Sequence, residues 1–127
     1  MTNKLTFDSI RLGGIDYAGP IEVDLTNYLD GGRGPDASAL AVVLYTHEDG
    51  YPELLAKVTV NMAGMGSFPA QGCVFVKDYS ENEGMLKAFV DKGWMQSTGR
   101  TVKSGWSTVT EAKLTGELAE LVKESGR

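Results

Sequence analysis

The chain has 127 residues, of which 42% are hydrophobic and 23% are charged, and its formal net charge is −5. This length and composition fit one folded domain, spanning 1–127, with a core of useful size. The acidic balance argues against direct nucleic-acid binding, which requires a concentration of Lys and Arg. The single cysteine excludes a disulfide within the chain. Because neither a secretory signal nor a membrane-spanning run is evident, we expect a cytoplasmic protein without membrane association.

The first half of the chain predicts two β-hairpins. Residues 4–12 alternate between apolar and polar side chains, the Gly13-Gly14 pair favours a turn, and residues 20–28 alternate again. Strands over 39–46 and 54–62 follow, with a polar turn between them.

A glycine-rich stretch, residues 30–38, separates the two hairpins. Its DGGRGP run is superficially similar to a phosphate-binding loop, but it lacks the G-x-x-x-x-G-K-[ST] spacing and no helix pattern follows directly. We interpret this stretch as a surface loop. If a ligand or partner binds there, Arg33 is the expected contact, because a guanidinium presents a forked set of donors.

The second half begins with a predicted strand at 73–77 and a helix over 81–92. Ser80 and Glu83 have the S-x-x-E spacing of a capping box, in which the Ser80 hydroxyl accepts the Glu83 backbone N–H. Gly93 stands where a left-handed helix stop is expected. Four residues form the apolar face of this helix: Met85, Leu86, Phe89 and Val90.

Residues 94–113 predict a turn and one or two short strands. A terminal amphipathic helix of about ten residues is marked by Leu114, Leu118, Leu121 and Val122. Together the elements predict an α+β fold. We expect a mainly antiparallel sheet of about five to seven short strands, with helix 81–92 packed on it and a short C-terminal helix.

An acidic cluster stands at the start of helix 81–92. Its members Asp78, Glu81 and Glu83 oppose the positive end of the helix, which favours a structural role. The alternative is a pair of catalytic carboxylates, which would need a nucleophile or an electropositive pocket nearby. The sequence supplies neither, and we assign no catalytic residue.

Aromatic and basic residues provide the candidate recognition surface. Arg100, Lys103 and Trp106 lie close together in a stretch that contains Gly and Ser, and Tyr79 is a further aromatic candidate. Tyr, Trp and Arg are enriched at binding hot spots, and an aromatic ring also offers a platform for a base. The alternative interpretation is that Trp94 and Trp106 both close the core.

Two isolated residues complete the inventory of reactive side chains. His47 is the one histidine and lies in a polar segment that we interpret as a solvated turn, whereas Cys73 opens an apolar strand and is interpreted as buried. A zinc site needs ligands at matched spacings, and the sequence has no second His or Cys to provide them. We therefore predict no metal and no cofactor.

Three segments resemble a known family: VTVNM at 58–62, VKDYSENEGMLKAFVDKGW at 76–94 and TGRTVKSGW at 98–106. Across about 39–110 the chain is similar to domain of unknown function 4313, a family of small bacterial proteins that look like accessory proteins of plasmids and phages. The resemblance implies no activity. It implies the setting of a mobile genetic element, in which small proteins often act by binding.

These observations lead to the hypothesis of a non-enzymatic interaction protein with a protein partner, for instance a counter-defence inhibitor of the anti-CRISPR type. A small-ligand binder for a nucleotide is the alternative, based on Arg33, Arg100, Lys103 and the nearby aromatics. An enzyme of unknown class is the third hypothesis. Unpaired strand edges would also permit a homodimer.

Overall fold

The structure is a computed structural model that describes residues 5–27, 40–48, 50–62 and 66–124. In chain order the described elements are β1 (Leu5–Leu12), β2 (Ile15–Asn27), β3 (Leu40–Glu48), β4 (Tyr51–Lys57), β5 (Cys73–Val76), a 3-10 turn (Ser80–Asn82), α1 (Met85–Asp91), β6 (Met95–Ser104), β7 (Ser107–Leu114) and α2 (Gly116–Glu124). The predicted α+β class, with antiparallel strands and two helices, is confirmed. Leu114, which was predicted in the terminal helix, instead ends β7.

The described strands form two sheets, in the orders β1-β2-β3-β4 and β5-β7-β6. Every pairing is antiparallel. In the first sheet each strand pairs with the next strand along the chain. Both predicted N-terminal hairpins are present, although β2 begins at Ile15, before the predicted residue 20. The predicted loop over 30–38 lies outside the described residues.

Residues 58–60 connect the two sheets, and we call them the shared segment. The Val58 N–H donates to the Val42 carbonyl at 2.9 Å, while the Val58 carbonyl accepts from the Lys77 N–H at 2.9 Å. The Val60 N–H donates to the Phe75 carbonyl, also at 2.9 Å. The predicted strand over 54–62 is therefore not continuous. β4 ends at Lys57, and the shared segment that follows hydrogen-bonds to both sheets.

The main hydrophobic core lies between the two sheets and the helices. Its centre contains three aromatic rings, Phe7, Phe89 and Trp94, whose centroids are 5.0–5.9 Å apart in edge-to-face arrangements. Such pairs contribute about 0.5–1.5 kcal/mol beyond the burial of their area. A smaller cluster of Met62, Phe75 and Val109 covers the opposite face of the three-stranded sheet, as the alternation of side chains along β5 requires.

The start of α1 differs from the predicted capping box. Ser80 has a φ of 54° and its side chain makes no cap hydrogen bond; the Glu83 N–H instead donates to the Ser80 backbone carbonyl at 3.1 Å. The Asp78 carboxylate accepts from the Gly84 N–H at 3.0 Å and the Leu86 N–H at 3.2 Å. Asp78 is therefore the cap, and the prediction for Ser80 is wrong because a 3-10 turn precedes the α-helix.

The buried face of α1 is narrower than predicted. Met85 and Phe89 are fully buried and Leu86 is half-buried, but Val90 is 43% exposed. A helix of two turns packed on one side buries mainly an i, i+4 pair. The helix ends at Asp91, and Gly93 has the predicted left-handed conformation, with a φ of 78°.

Candidate functional site

The two long strands β6 and β7 form a hairpin that ends in a two-residue turn. Ser104 and Ser107 are paired, and of the central residues Gly105 has the positive φ, 63°. This geometry matches the II′ turn, which requires glycine at its first central position and follows the twist of the strands. The second central residue, Trp106, is held at the extreme end. We call Lys103–Thr108 the hairpin tip.

Trp106 is fully exposed, at 106% of its reference area. Trp is usually well buried, because its large ring contributes strongly when it leaves water. The interpretation that both tryptophans close the core is therefore wrong for Trp106, although it is correct for Trp94, which is 4% exposed. A solvent-facing indole at the end of a tight turn is the type of side chain that anchors protein interfaces.

The hairpin also differs in charge from the rest of the chain. No residue between Asp91 and Glu111 is acidic, although the chain as a whole carries a net charge of −5. Lys103 is exposed beside the turn, and the remaining residues of the hairpin tip other than Trp106 are Ser, Thr and Gly. The tip thus presents an indole, hydroxyls and one cation, and none of its residues is a carboxylate.

Arg100, a predicted binding residue, makes contacts within the molecule. The pairing of β6 with β7 shifts between Ser97 and Thr101, so Arg100 lies in an irregular stretch of the strand. Its guanidinium donates to the Glu111 carboxylate at 2.8 Å and to the Phe68 carbonyl at 3.0 Å. Arg100 therefore links the loop before β5 to β7 through Nη1, while 46% of its side chain stays exposed.

Glu111 is the buried partner of this ion pair. Its carboxylate also accepts from the Ala70 N–H at 2.9 Å and from the Thr98 hydroxyl at 2.8 Å. Burial by itself would raise the pKa of Glu111, but these hydrogen bonds and the charge of Arg100 hold the pKa below its ordinary value. The network fixes the base of the hairpin.

The predicted acidic cluster has structural partners. Asp78 caps α1, and Glu81 forms an ion pair with Lys77, which lowers the pKa of the Glu81 carboxyl. Tyr79 packs against the Phe75 cluster, and the Lys77 ammonium lies 5.6 Å from the centre of its ring. Asp78 thus supports α1 and Tyr79 supports the smaller cluster, whereas the side chain of Glu81 is 68% exposed.

Tyr79 and Arg100 meet at the same small cluster, since the Arg100 guanidinium lies 5.3 Å from the centre of the Phe75 ring. Trp106 lies farther along the hairpin, beyond this contact. Of the predicted binding residues, Lys103 and Trp106 lie together in the hairpin tip, and both are exposed. Arg33 lies outside the described residues.

The remaining reactive side chains do not converge. His47 lies on β3, where its Nε2 is 2.9 Å from a Glu22 carboxylate oxygen, so it belongs to a strand and not to a turn. Cys73 is buried, and burial raises the pKa of its thiol, with a further contribution from the charge of Glu111. Among the described residues no group of three His, Cys, Asp or Glu side chains is placed to hold a metal ion.

A groove between β1 and α1 was missed by the sequence analysis. It encloses about 720 Å³, and Phe7, Ser9 and Arg11 line one side while Lys87 and Lys92 line the other. No local motif marks these residues, because the groove exists only where a strand at the edge of a sheet lies beside a helix from later in the chain.

Comparisons with known proteins give one match. No curated protein and no solved structure matches the chain significantly, and no helix in the described ranges is long and apolar enough to cross a membrane. A family model, Domain of unknown function (DUF4313), matches residues 24–124. The match extends the resemblance beyond 39–110 and now includes α2. The chain therefore belongs to the DUF4313 family.

Proposed function

We propose that this chain is a non-enzymatic binding protein that contacts a protein partner through the hairpin tip. The observation that supports this most directly is the complete exposure of Trp106 at the end of a tight turn. Interface hot spots are enriched in Trp, and truncating such an anchor typically costs 2 kcal/mol or more, or about 30-fold in affinity.

The support beneath Trp106 favours tight binding. The indole projects from a two-residue turn between paired strands, and the Arg100–Glu111 network fixes the base of the same hairpin. A contact that is held in place before binding loses little conformational freedom when the complex forms. The hairpin tip thus resembles a preorganised anchor more than a flexible loop.

In its most specific form, the proposal is a cytoplasmic inhibitor carried by a mobile element, of the anti-CRISPR type, that blocks a host defence nuclease. The net charge of −5 suits a partner with a basic nucleic-acid channel, because opposite charges steer association over distances near the Debye length. The indole of Trp106 then provides the short-range contact.

Site-specific cross-linking tests the hairpin tip directly. A photoreactive benzoylphenylalanine replaces Trp106 in protein expressed in a bacterial host that carries a CRISPR nuclease. The matched control carries the same group at Tyr51, which is 76% exposed on β4, away from the hairpin. We expect a discrete adduct with another protein from position 106 only, and mass spectrometry to identify the nuclease within it.

The affinity of the identified partner for the purified protein completes the test. Trp106→Ala should weaken binding about 30-fold while the free energy of unfolding stays within about 0.5 kcal/mol of the parent. Equal labelling from positions 106 and 51, or full affinity in Trp106→Ala, would refute the hairpin tip as the contact. An adduct with a second copy of the chain would instead identify a homodimer.

A further inference from the structure

The two described sheets have four edges, at β1, β4, β5 and β6, and the chain itself closes two of them. Beside β1, the Gly13 N–H donates to the Glu83 carbonyl at 2.9 Å. Gly84 also lies so close that a Cβ atom placed on it would be 2.9 Å from the Arg11 carbonyl oxygen. Beside β5, the shared segment hydrogen-bonds to the outward main chain. Neither edge therefore offers a free row of donors and acceptors.

The edge of β4 is interrupted at both ends. Glu48 and Tyr51 are the last pair of the β3–β4 hairpin. Pro52, the next residue, turns its main chain away from β3, and proline has no N–H to offer there. At the other end of β4, the Lys57 carbonyl accepts from the Asn82 side chain at 2.7 Å. Of the described edges, β6 therefore remains.

The outer half of β6 presents its main-chain groups to solvent. Ser104 and Ser107 form the pair that flanks the two-residue turn of the hairpin tip, and such a pair is hydrogen-bonded. Counting back from it, Lys103 and Thr101 are the residues whose N–H and C=O groups point away from β7.

This stretch of β6 is open on its outer side. Thr101 and Lys103 are both exposed. A Cβ atom placed on Gly99 or on Gly105, which stand on either side of the stretch, would meet nothing within 4 Å beyond its chain neighbours. Because the pairing with β7 is irregular before Thr101, the open edge is confined to residues 101–104.

The charge beside this edge favours an acidic occupant. Residues 92–110 contain Lys92, Arg100 and Lys103 and no Asp or Glu. Arg100 is paired with Glu111, whereas Lys103 forms no salt bridge with a described carboxylate. Opposite charges on neighbouring strands attract when their side chains share a face, and like charges repel. A strand that adds beside Lys103 should therefore carry Asp or Glu on that face.

The other face of the hairpin favours apolar side chains. Val102 points to the face opposite Lys103, because successive side chains of a strand alternate. It is partly buried against the smaller cluster, and its partner on β7, Val109, is fully buried. A strand beside β6 would continue this face outward. The edge thus fits a segment in which acidic and apolar residues alternate.

We propose that an extended acidic segment of another protein adds to β6 over residues 101–104, as a fourth strand of the three-stranded sheet. The main-chain groups of Thr101 and Lys103 hydrogen-bond to this segment, an Asp or Glu of the segment pairs with Lys103, and its apolar side chains lie beside Val102. Donors and acceptors that repeat along a strand edge match a peptide backbone, which is the recognition mode of strand addition. This contact goes beyond the proposed function, because it is made by the edge of β6 and not by the indole of Trp106.

A phage-displayed library of random linear peptides, panned against the immobilised full chain, supplies the probe. We expect enriched peptides in which Asp or Glu alternates with apolar residues. A synthesised peptide of this type should bind Lys103→Glu about tenfold more weakly than the parent, because the pairing charge is reversed. The matched control, Lys113→Glu, changes the net charge equally at an exposed lysine of the central strand β7. It should bind the peptide with the affinity of the parent.

A pair of proline substitutions tests the main-chain contact. Thr101→Pro removes an outward N–H donor of β6 and should abolish binding of the peptide. Ser9→Pro places the same residue at an outward-facing position of β1, counted back from the Leu12–Ile15 pair. Because the edge of β1 is closed, this control should bind the peptide with the affinity of the parent.

Hydrogen exchange in the parent decides whether a strand is added, even if Thr101→Pro fails to fold. The Thr101 and Lys103 amides should exchange more slowly when peptide is bound. Strand addition is refuted if no peptide is enriched, if Lys103→Glu binds as tightly as the parent, or if the two amides are not slowed in the complex. Peptides that bind Thr101→Pro but not Trp106→Ala would occupy the indole. They would refute strand addition and leave the proposed function standing.

Discussion

Asp78 provides the side-chain cap of α1 that the sequence pattern assigned to Ser80. One oxygen of its carboxylate accepts two main-chain N–H groups at the start of α1. A capping box needs its serine in an extended conformation, but Ser80 has a φ of 54° and begins a 3-10 turn. The motif was present in the sequence, and the turn that displaced it was not evident there.

The two residues can be compared by mutation. Asp78→Ala should lower the free energy of unfolding by about 1–2 kcal/mol, because two donors at the helix start lose their acceptor. Ser80→Ala should change it by less than about 0.5 kcal/mol. Urea denaturation of both variants provides the measurement, and a larger loss in Ser80→Ala would show that the hydroxyl is the cap after all.

The two tryptophans show how far residue-level prediction reaches. Trp94 and Trp106 each follow a glycine with positive φ, Gly93 and Gly105. Their surroundings along the chain are similar, yet Trp94 packs against Phe7 from β1, whereas Trp106 contacts solvent. The difference depends on contacts between residues distant in sequence, which hydrophobic periodicity does not encode.

Among the elements, α1 shows a prediction that was confirmed in its position and wrong in its detail. The apolar spacing located the helix and its stop at Gly93. It also included Val90 in the buried face, although α1 packs on one side only and leaves this residue 43% exposed. A sequence pattern gives the side of a helix that is apolar, but the width of the covered stripe depends on the elements that pack against it.

Paired alanine substitutions measure this difference. Phe89→Ala should destabilise the protein by about 3–5 kcal/mol, because the fully buried ring contacts Phe7 and Trp94 and leaves a cavity. Val90→Ala should cost less than about 0.5 kcal/mol. Thermal and urea unfolding report both values, and comparable losses in the two variants would place Val90 in the core.

At the scale of the whole molecule, the alternation of side chains and the glycine turns predicted most strands and the α+β class. They did not predict that the strands form two sheets, because that division depends on which strands pair. In the structure β7 lies between β5 and β6, and β1 lies at the edge of the other sheet. The same limit applies to the site. Lys103 and Trp106 could be proposed from their residue types, whereas Lys92 and Ser9 face a common groove only after the strand order is known.

Acid stability of the molecule should depend on Glu111. Its pKa is lowered in the folded state, so its contribution is complete above the unfolded value, about 4.3, and is lost as the pH falls through the lower folded value. At pH 7, Glu111→Gln should be less stable than the parent by about 1–3 kcal/mol. This difference should shrink below about pH 4.

Chemical denaturation of parent and variant across this pH range isolates the contribution of Glu111, because the other carboxylates titrate in both proteins. An unchanged difference between pH 7 and pH 3 would mean that the carboxylate is not selectively stabilised in its charged form.

The shared segment has a consequence for any partner that touches both sheets. Because Val58 and Val60 bond to strands on either side, neither sheet can rotate or slide against the other without breaking these bonds. The groove between β1 and α1 borders one sheet and the hairpin tip belongs to the other. A partner that contacted both would therefore meet surfaces at a fixed separation, and little relative motion of the two sheets would be lost when the complex forms.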